Sequence, residues 1–216
     1  MRKLILFLAV LTLNLVHADS PLTSTDFSEA YKNEKILIRA AENKLDKKVL
    51  KFLSKEKKSS VLKIAIISQL GWGEEDKYLQ LFEAHLLEKH PALQESTFDE
   101  LRKIGLEEFE ETNQTLLLSA DDLMCWAYFQ GLANYFEPTL AFAAANIAYS
   151  RKPESMAHAA VYGLITAQIF FDYDWCMVYQ TGDKIFRKST YTENNLNQDA
   201  INLIMNYLSL YQGDCK

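Results

Sequence analysis

Residues 119–171, SADDLMCWAYFQGLANYFEPTLAFAAANIAYSRKPESMAHAAVYGLITAQIFF, decide the fold of this chain. Ser119 is a residue type that caps helices, and the run after it predicts a helix through Tyr135. Pro138 suits the first turn of the next helix, where a missing N–H costs nothing. That helix carries Ala141, Ala143, Ala144, Ala145 and Ala148, small enough to let a neighbouring helix approach closely. Pro153 opens a third, with Ala159, Ala160, Gly163 and Ala167. Helices joined by such short connections pack as antiparallel hairpins.

The same signals extend in both directions. Asp172 or Asp174 starts a helix bearing Trp175, Val178, Tyr179 and Phe186, and Asn195 with Gln198 caps a last one with Leu196, Ala200, Ile201, Ile204 and Leu208 on one stripe. Toward the N-terminus, Asp19–Thr25 reads as a loose polar segment, and Asp26 with Glu29 has capping-box spacing ahead of one helix running to about Ala41. Further helices are expected over Asp46–Ser54, from Ser59 or Ser60 to Leu70, over Glu74–Lys89, and from Thr97 past Ile104 toward Phe109. The expectation is an all-α chain of about ten helices, antiparallel hairpins stacked as an α-α superhelix. Only 7 Gly and 4 Pro in 216 residues argue against the many turns of an all-β fold.

The N-terminus reads differently. Arg2 and Lys3 precede an apolar run, Leu4–Val16, and Val16-His17-Ala18 places tolerated residues before a cut at Asp19. This is the layout of a cleavable secretory signal over residues 1–18, and its apolar run is too short for a membrane span. The expectation is an exported protein, periplasmic or extracellular and bacterial in its Lys-rich composition, with one helical domain over 19–216 and no integral membrane segment after cleavage. Residues 113–119, where charge-rich sequence gives way to aromatic- and Ala-rich sequence, are the candidate boundary between subdomains 26–112 and 119–216. Cleavage takes 2 of the 23 cations and none of the 29 acids, leaving a net charge of −8. That balance disfavours nucleic acid, whose binding rests on neutralising phosphate; simple solubility is its commonest meaning, and it would also suit a basic protein partner.

Residues 121–171 resemble a tetratricopeptide repeat: Ala141, Ala148 and Pro153 fall at that family's spacings, while Trp126, Gly131 and Tyr135 are the right residue types at shifted positions. Asp46–Gly71 resembles a HEAT-type helix pair. The resemblance implies protein or peptide binding on a concave face, by analogy of architecture alone.

No motif commits the chain to chemistry. His85 and His90 are five apart, which turns them to different helix faces, and His158 stands alone, so no metal set and no cofactor is expected. Ser54-x-x-Lys57 and Ser60-x-x-Lys63 match a penicillin-binding pattern whose partner motifs are missing. The acid pairs Asp121-Asp122, Glu74-Glu75 and Asp172/Asp174 stand at predicted helix starts, where capping is the simplest role. Two aromatic groups, around Trp126 and Tyr128 and around Tyr173 and Trp175, read either as core, the commoner role of such residues, or as a binding surface, with Trp72 in a Gly-flanked turn as the candidate for exposure. Of three cysteines, Cys125 sits on an apolar helix face, and a Cys176–Cys215 bridge would staple the C-terminal tail to the helix before it. The leading function is a non-enzymatic protein-protein interaction module, for example an inhibitor, an immunity-type protein or a periplasmic scaffold. The alternatives are a cell-wall or glycan-acting enzyme using a carboxylate pair, and a small-ligand carrier with an apolar pocket.

Overall fold

The computed structural model describes residues 20–71, 73–94, 97–103, 113–187, 191–193 and 196–216. Within them the chain is all-helical, with no strand. After a 3-10 turn at Phe27–Tyr31 come α1 (Lys35–Asn43), α2 (Lys47–Leu53), α3 (Ser60–Leu70), α4 (Glu75–Lys89), α5 (Thr97–Lys103) and α6 (Asn113–Leu117). They are followed by α7 (Ala120–Ala133), α8 (Thr139–Arg151), α9 (Met156–Phe171), α10 (Trp175–Phe186), α11 (Gln198–Leu208) and a C-terminal 3-10 segment, Ser209–Asp214. No helix among the described residues is long and apolar enough to cross a membrane. Residues 1–18, Trp72 and Asn195 lie outside the described residues, as do 104–110, into which the helix from Thr97 was expected to run.

Side-chain caps set five of the helix starts. The Asp46 carboxylate accepts the N–H groups of Lys48 and Val49, and Ser59 accepts that of Leu62. Ser119 and Asp122 form a reciprocal capping box at the head of α7. Asp174 accepts Met177 N–H and Asn197 accepts Ala200 N–H. Gly71 ends α3 with φ +40, in the region glycine favours.

Asp26 does not cap an α-helix. Its carboxylate takes the Ser28 hydroxyl instead of a backbone N–H, and the expected helix 26–41 divides into the 3-10 turn and α1. A distant contact holds the break: Asn197 donates its backbone N–H to Tyr31 Oη at 2.9 Å and its side-chain amide to the Ala30 carbonyl at 3.3 Å. Of the segment read as a loose tail, residues 20–25 are held by packing and hydrogen bonds: Thr25 Oγ1 donates to the Pro21 carbonyl, and Leu22 is buried. Leu22 packs over Gly131 in α7, where a Cβ would meet Leu22 Cδ1 at an ordinary contact distance of 3.4 Å.

The hairpins α7–α8, α8–α9 and α9–α10 pack as neighbours. α3 packs on α1, the first 3-10 turn, α7 and α9 rather than chiefly on α2, so Asp46–Gly71 is not a self-contained helix pair. α11 returns to the first 3-10 turn, so the array also joins its two ends. α7 is the centre, touching α2, α3, α4, α8 and α9. One hydrophobic core runs continuously through 26–112 and 119–216.

Where α9 meets α10, Gly163 allows the closest approach: a Cβ added there would lie 2.2 Å from Ile185 Cδ1. Gly163→Ala is therefore expected to lose about 1 kcal/mol or more to overpacking. Ile185→Val removes that terminal carbon and by itself costs about 0.5–1.5 kcal/mol. The double variant should be no less stable than Ile185→Val alone, a coupling that denaturant melts of the four proteins measure directly.

Candidate functional site

Three arrangements bring polar or aromatic groups together. The first is buried where the ends of several helices meet the head of α7. Asp121 is sealed from solvent, as are Lys63 from α3 and His158 from α9. Lys63 Nζ donates to Asp121 Oδ2, Lys152 Nζ at the end of α8 donates to Oδ1 at 2.9 Å, and Ser60 Oγ lies 3.3 Å from both oxygens. His158 Nε2 stands 3.4 Å from Oδ1, with its Nδ1 bonded to Ser155 Oγ at 2.8 Å. The adjacent Asp122, also buried, holds Lys89, His90 and Ser119 on its Oδ2 at 2.7, 3.2 and 2.7 Å.

Burial by itself would raise the Asp121 carboxyl. The His158 contact and the charges and bonds of Lys63 and Lys152 outweigh it and hold the group well below the usual carboxylate range. A carboxylate so firmly ionised is a poor proton shuttle. Asp121 and Asp122 thus divide two jobs: Asp122 caps α7, as helix-start acids do, while Asp121 points inward as a counter-ion. Ser60 and Lys63, one of the two Ser-x-x-Lys matches, meet on that carboxylate as parts of a buried network.

The second arrangement is a cleft of about 420 Å³ lined by Asp76, Leu79, Gln80, Glu83, Asp99, Arg102 and Asn134. On its floor Glu83 Oε1 accepts Trp126 Nε1–H at 2.8 Å and a bond from Arg102, whose other nitrogen holds Asp99 at 2.9 Å. Arg102 thus bridges two of the acids and ties α5 to α4, while Phe98 rests on Trp126 with ring centres 5.5 Å apart.

The third lies at the turn from α9 into α10. A shallow groove of about 390 Å³ is lined by Asp172, Tyr173, Asp174, Trp175, Cys176 and Asp214. Tyr173 and Trp175 are 67% and 52% exposed. Both are held in place: Trp175 Nε1–H donates to the Phe171 carbonyl at 2.8 Å, and Phe170 meets Tyr173 edge-on at 5.7 Å. Tyr211 of the C-terminal segment packs against Phe171, Trp175 and Tyr207. Cys176 and Cys215 are joined as a disulfide with Cα atoms 4.8 Å apart, which brings Asp214 to the groove.

The candidate binding residues therefore separate. Tyr173 and Trp175 share one exposed site beside the bridged cysteines. Trp126 and Tyr128 are core residues instead, fully buried because α7 is covered on every side. The signal lay in the sequence: Leu123–Phe129 is apolar without a break, so this helix has no polar face to turn outward. Lys63 and Asp121 were missed as partners, although Lys63 is the one charge of α3 and Asp121 belongs to the one charged pair of α7. His85 bonds Ser54 at 2.7 Å and His90 faces Asp122, so the two histidines serve different contacts. No group of three or more His, Cys, Asp or Glu placed to hold a metal occurs among the described residues.

Compared with family models, with curated proteins and with solved structures, the chain matches none of them.

Two expectations follow. Asp121→Asn strands the buried Lys63 ammonium and should cost about 3–5 kcal/mol in urea melts near neutral pH. Because the folded-state pKa is depressed, this stabilisation is complete above the unfolded carboxylate value of about 3.9 and fades as pH falls below it. The variant's unfolding free energy should accordingly fall less steeply than the parent's below about pH 4. Thiol titration provides the other test: burial raises the Cys125 thiol, so no group should react in the native protein, one after denaturation, and three after denaturation with reduction.

Proposed function

We propose that this chain is a non-enzymatic protein-protein interaction module, exported to the periplasm or cell exterior, that binds its partner through the groove at Asp172–Cys176. The observation that carries the reading is the pair of exposed, pre-positioned rings, Tyr173 and Trp175. Large aromatics on a monomer surface are costly to leave in water and are enriched among residues that dominate binding energy. Their neighbours fix their orientation, so little conformational entropy is lost when a partner covers them. The signal-like residues 1–18 and the acidic balance support an exported protein that meets a basic partner. An inhibitor or immunity-type protein for a secreted enzyme is one concrete form of this role.

A glycan-acting enzyme is the second reading, favoured by the acid-lined cleft at Glu83. It ranks lower because Arg102 occupies both Glu83 and Asp99, and the aromatic ring beneath them, Trp126, is buried and offers a sugar no platform.

The test is capture of a stoichiometric partner from the producing cell's exported fraction on the immobilised mature chain. Tyr173→Ala/Trp175→Ala should lose at least 90% of the captured partner while its melting temperature stays within a few degrees of the parent's, since exposed positions contribute little to stability. Equal capture by the parent and the variant would move the binding face elsewhere.

A further inference from the structure

We infer that the groove at Tyr173 and Trp175 is a receptor for a lysine or arginine side chain projecting from a basic segment of the partner protein. The inference rests on the interaction-module reading and specifies what that face recognises. Its starting point is the pair of exposed rings that line the groove, since aromatic rings attract ammonium and guanidinium groups.

The charges around the rings select the sign of the occupant. Asp172, Asp174 and Asp214 line the same groove. Asp174 uses Oδ1 to cap α10 through Met177 N–H, offsetting the positive end of that helix. Asp172 and Asp214 do no such work, and no ion pair between described residues involves either of them or Asp174. The acids of the other two arrangements are placed differently. Asp121 and Asp122 hold cations in the core, and Glu83 and Asp99 hold Arg102. Among the described residues Asp172 and Asp214 thus have no cation partner, and an anionic or purely apolar partner segment would leave them facing like charge or stripped of water.

The form of the groove favours a side chain over a free small cation. It is shallow and open on one side, with the exposed rings on its wall, so a residue can enter while its own backbone stays outside. A long alkyl stem can lie against Tyr173 and Trp175 while its charged head reaches the carboxylates, the way lysine and arginine cover apolar surface elsewhere.

The test uses the intact disulfide-bonded protein and the indole N–H signal of Trp175 in two-dimensional NMR, assigned by its loss in Trp175→Phe. The probe is a short arginine-rich peptide, compared with the same peptide carrying citrulline, the neutral isostere of arginine, at each arginine. The arginine peptide should shift the Trp175 signal and the amides of 172–176 and 211–215 saturably, with affinity falling as salt rises. The citrulline peptide should bind at least tenfold more weakly, and Asp172→Asn/Asp214→Asn should weaken the arginine peptide by a similar factor. Equal binding of the two peptides, shifts spread over the acidic surface without a maximum at the groove, or no saturable shift at all would overturn the inference. Failure here combined with loss of partner capture by Tyr173→Ala/Trp175→Ala would remove the cation and keep the binding face. Unchanged capture by that variant would remove the face itself.

Discussion

The ion pair between Lys63 and Asp121 settles how the two most buried helices face each other. α3 and α7 are apolar nearly all round, so hydrophobic burial gains about as much at one rotation of either helix as at another. A buried charge changes that balance. Taking an ammonium or a carboxylate out of water costs several kcal/mol, and only the orientation that brings the two together recovers it. Lys152 and His158 attach the end of α8 and the start of α9 to the same carboxylate, and Lys89 and His90 attach the end of α4 to its neighbour Asp122. Two adjacent residues at one helix start therefore set the registry of α3, α4, α7, α8 and α9. Such a hub contributes more to selecting one arrangement than to net stability, because a well-packed apolar replacement would avoid the cost of burying the charges.

This division explains what the sequence made legible. Caps are local: Asp46, Ser59, Ser119 and Asp174 each need only the backbone a few residues ahead, and each does start its helix. Hydrophobic periodicity is local too, so the helical class and most element limits follow from it. Partnership across the fold is not local. The break between the 3-10 turn and α1 depends on Asn197, more than 160 residues away, and nothing near Asp26 announces it. The roles of Lys63 and Asp121 are likewise invisible to any rule that reads one helix at a time. What the sequence did hold was a weaker clue, a single cation in α3 and an acid pair at the start of α7, in two helices that otherwise have no polar face.

The same logic separates the aromatic groups. Trp126 and Tyr128 stand in an apolar run with no outward side and become core. Tyr173 and Trp175 alternate with Asp172 and Asp174 at a helix start, where the chain is turning and cannot be covered on all sides. Mixed acidic and aromatic sequence at a turn is therefore the more reliable sign of an exposed ring than aromatic density.

The disulfide joins this surface to the question of where the protein works. The C-terminal 3-10 segment buries none of its residues, and its aromatic contacts with α9, α10 and α11 are partly open to water. Such a segment would fray on its own. Closing a loop between Cys176 and Cys215, 39 positions apart, restricts the unfolded chain, by about 3–4 kcal/mol in the chain-entropy model, and holds Asp214 and Tyr211 beside the rings of Tyr173 and Trp175. The groove thus owes its completeness to a covalent bond that persists in an oxidising compartment and is lost in a reducing one. The signal-like N-terminus and the bridged C-terminus come from opposite ends of the sequence and rest on unrelated chemistry. Both agree with the proposal that the surface at Asp172–Cys176 is assembled and used outside the cytoplasm.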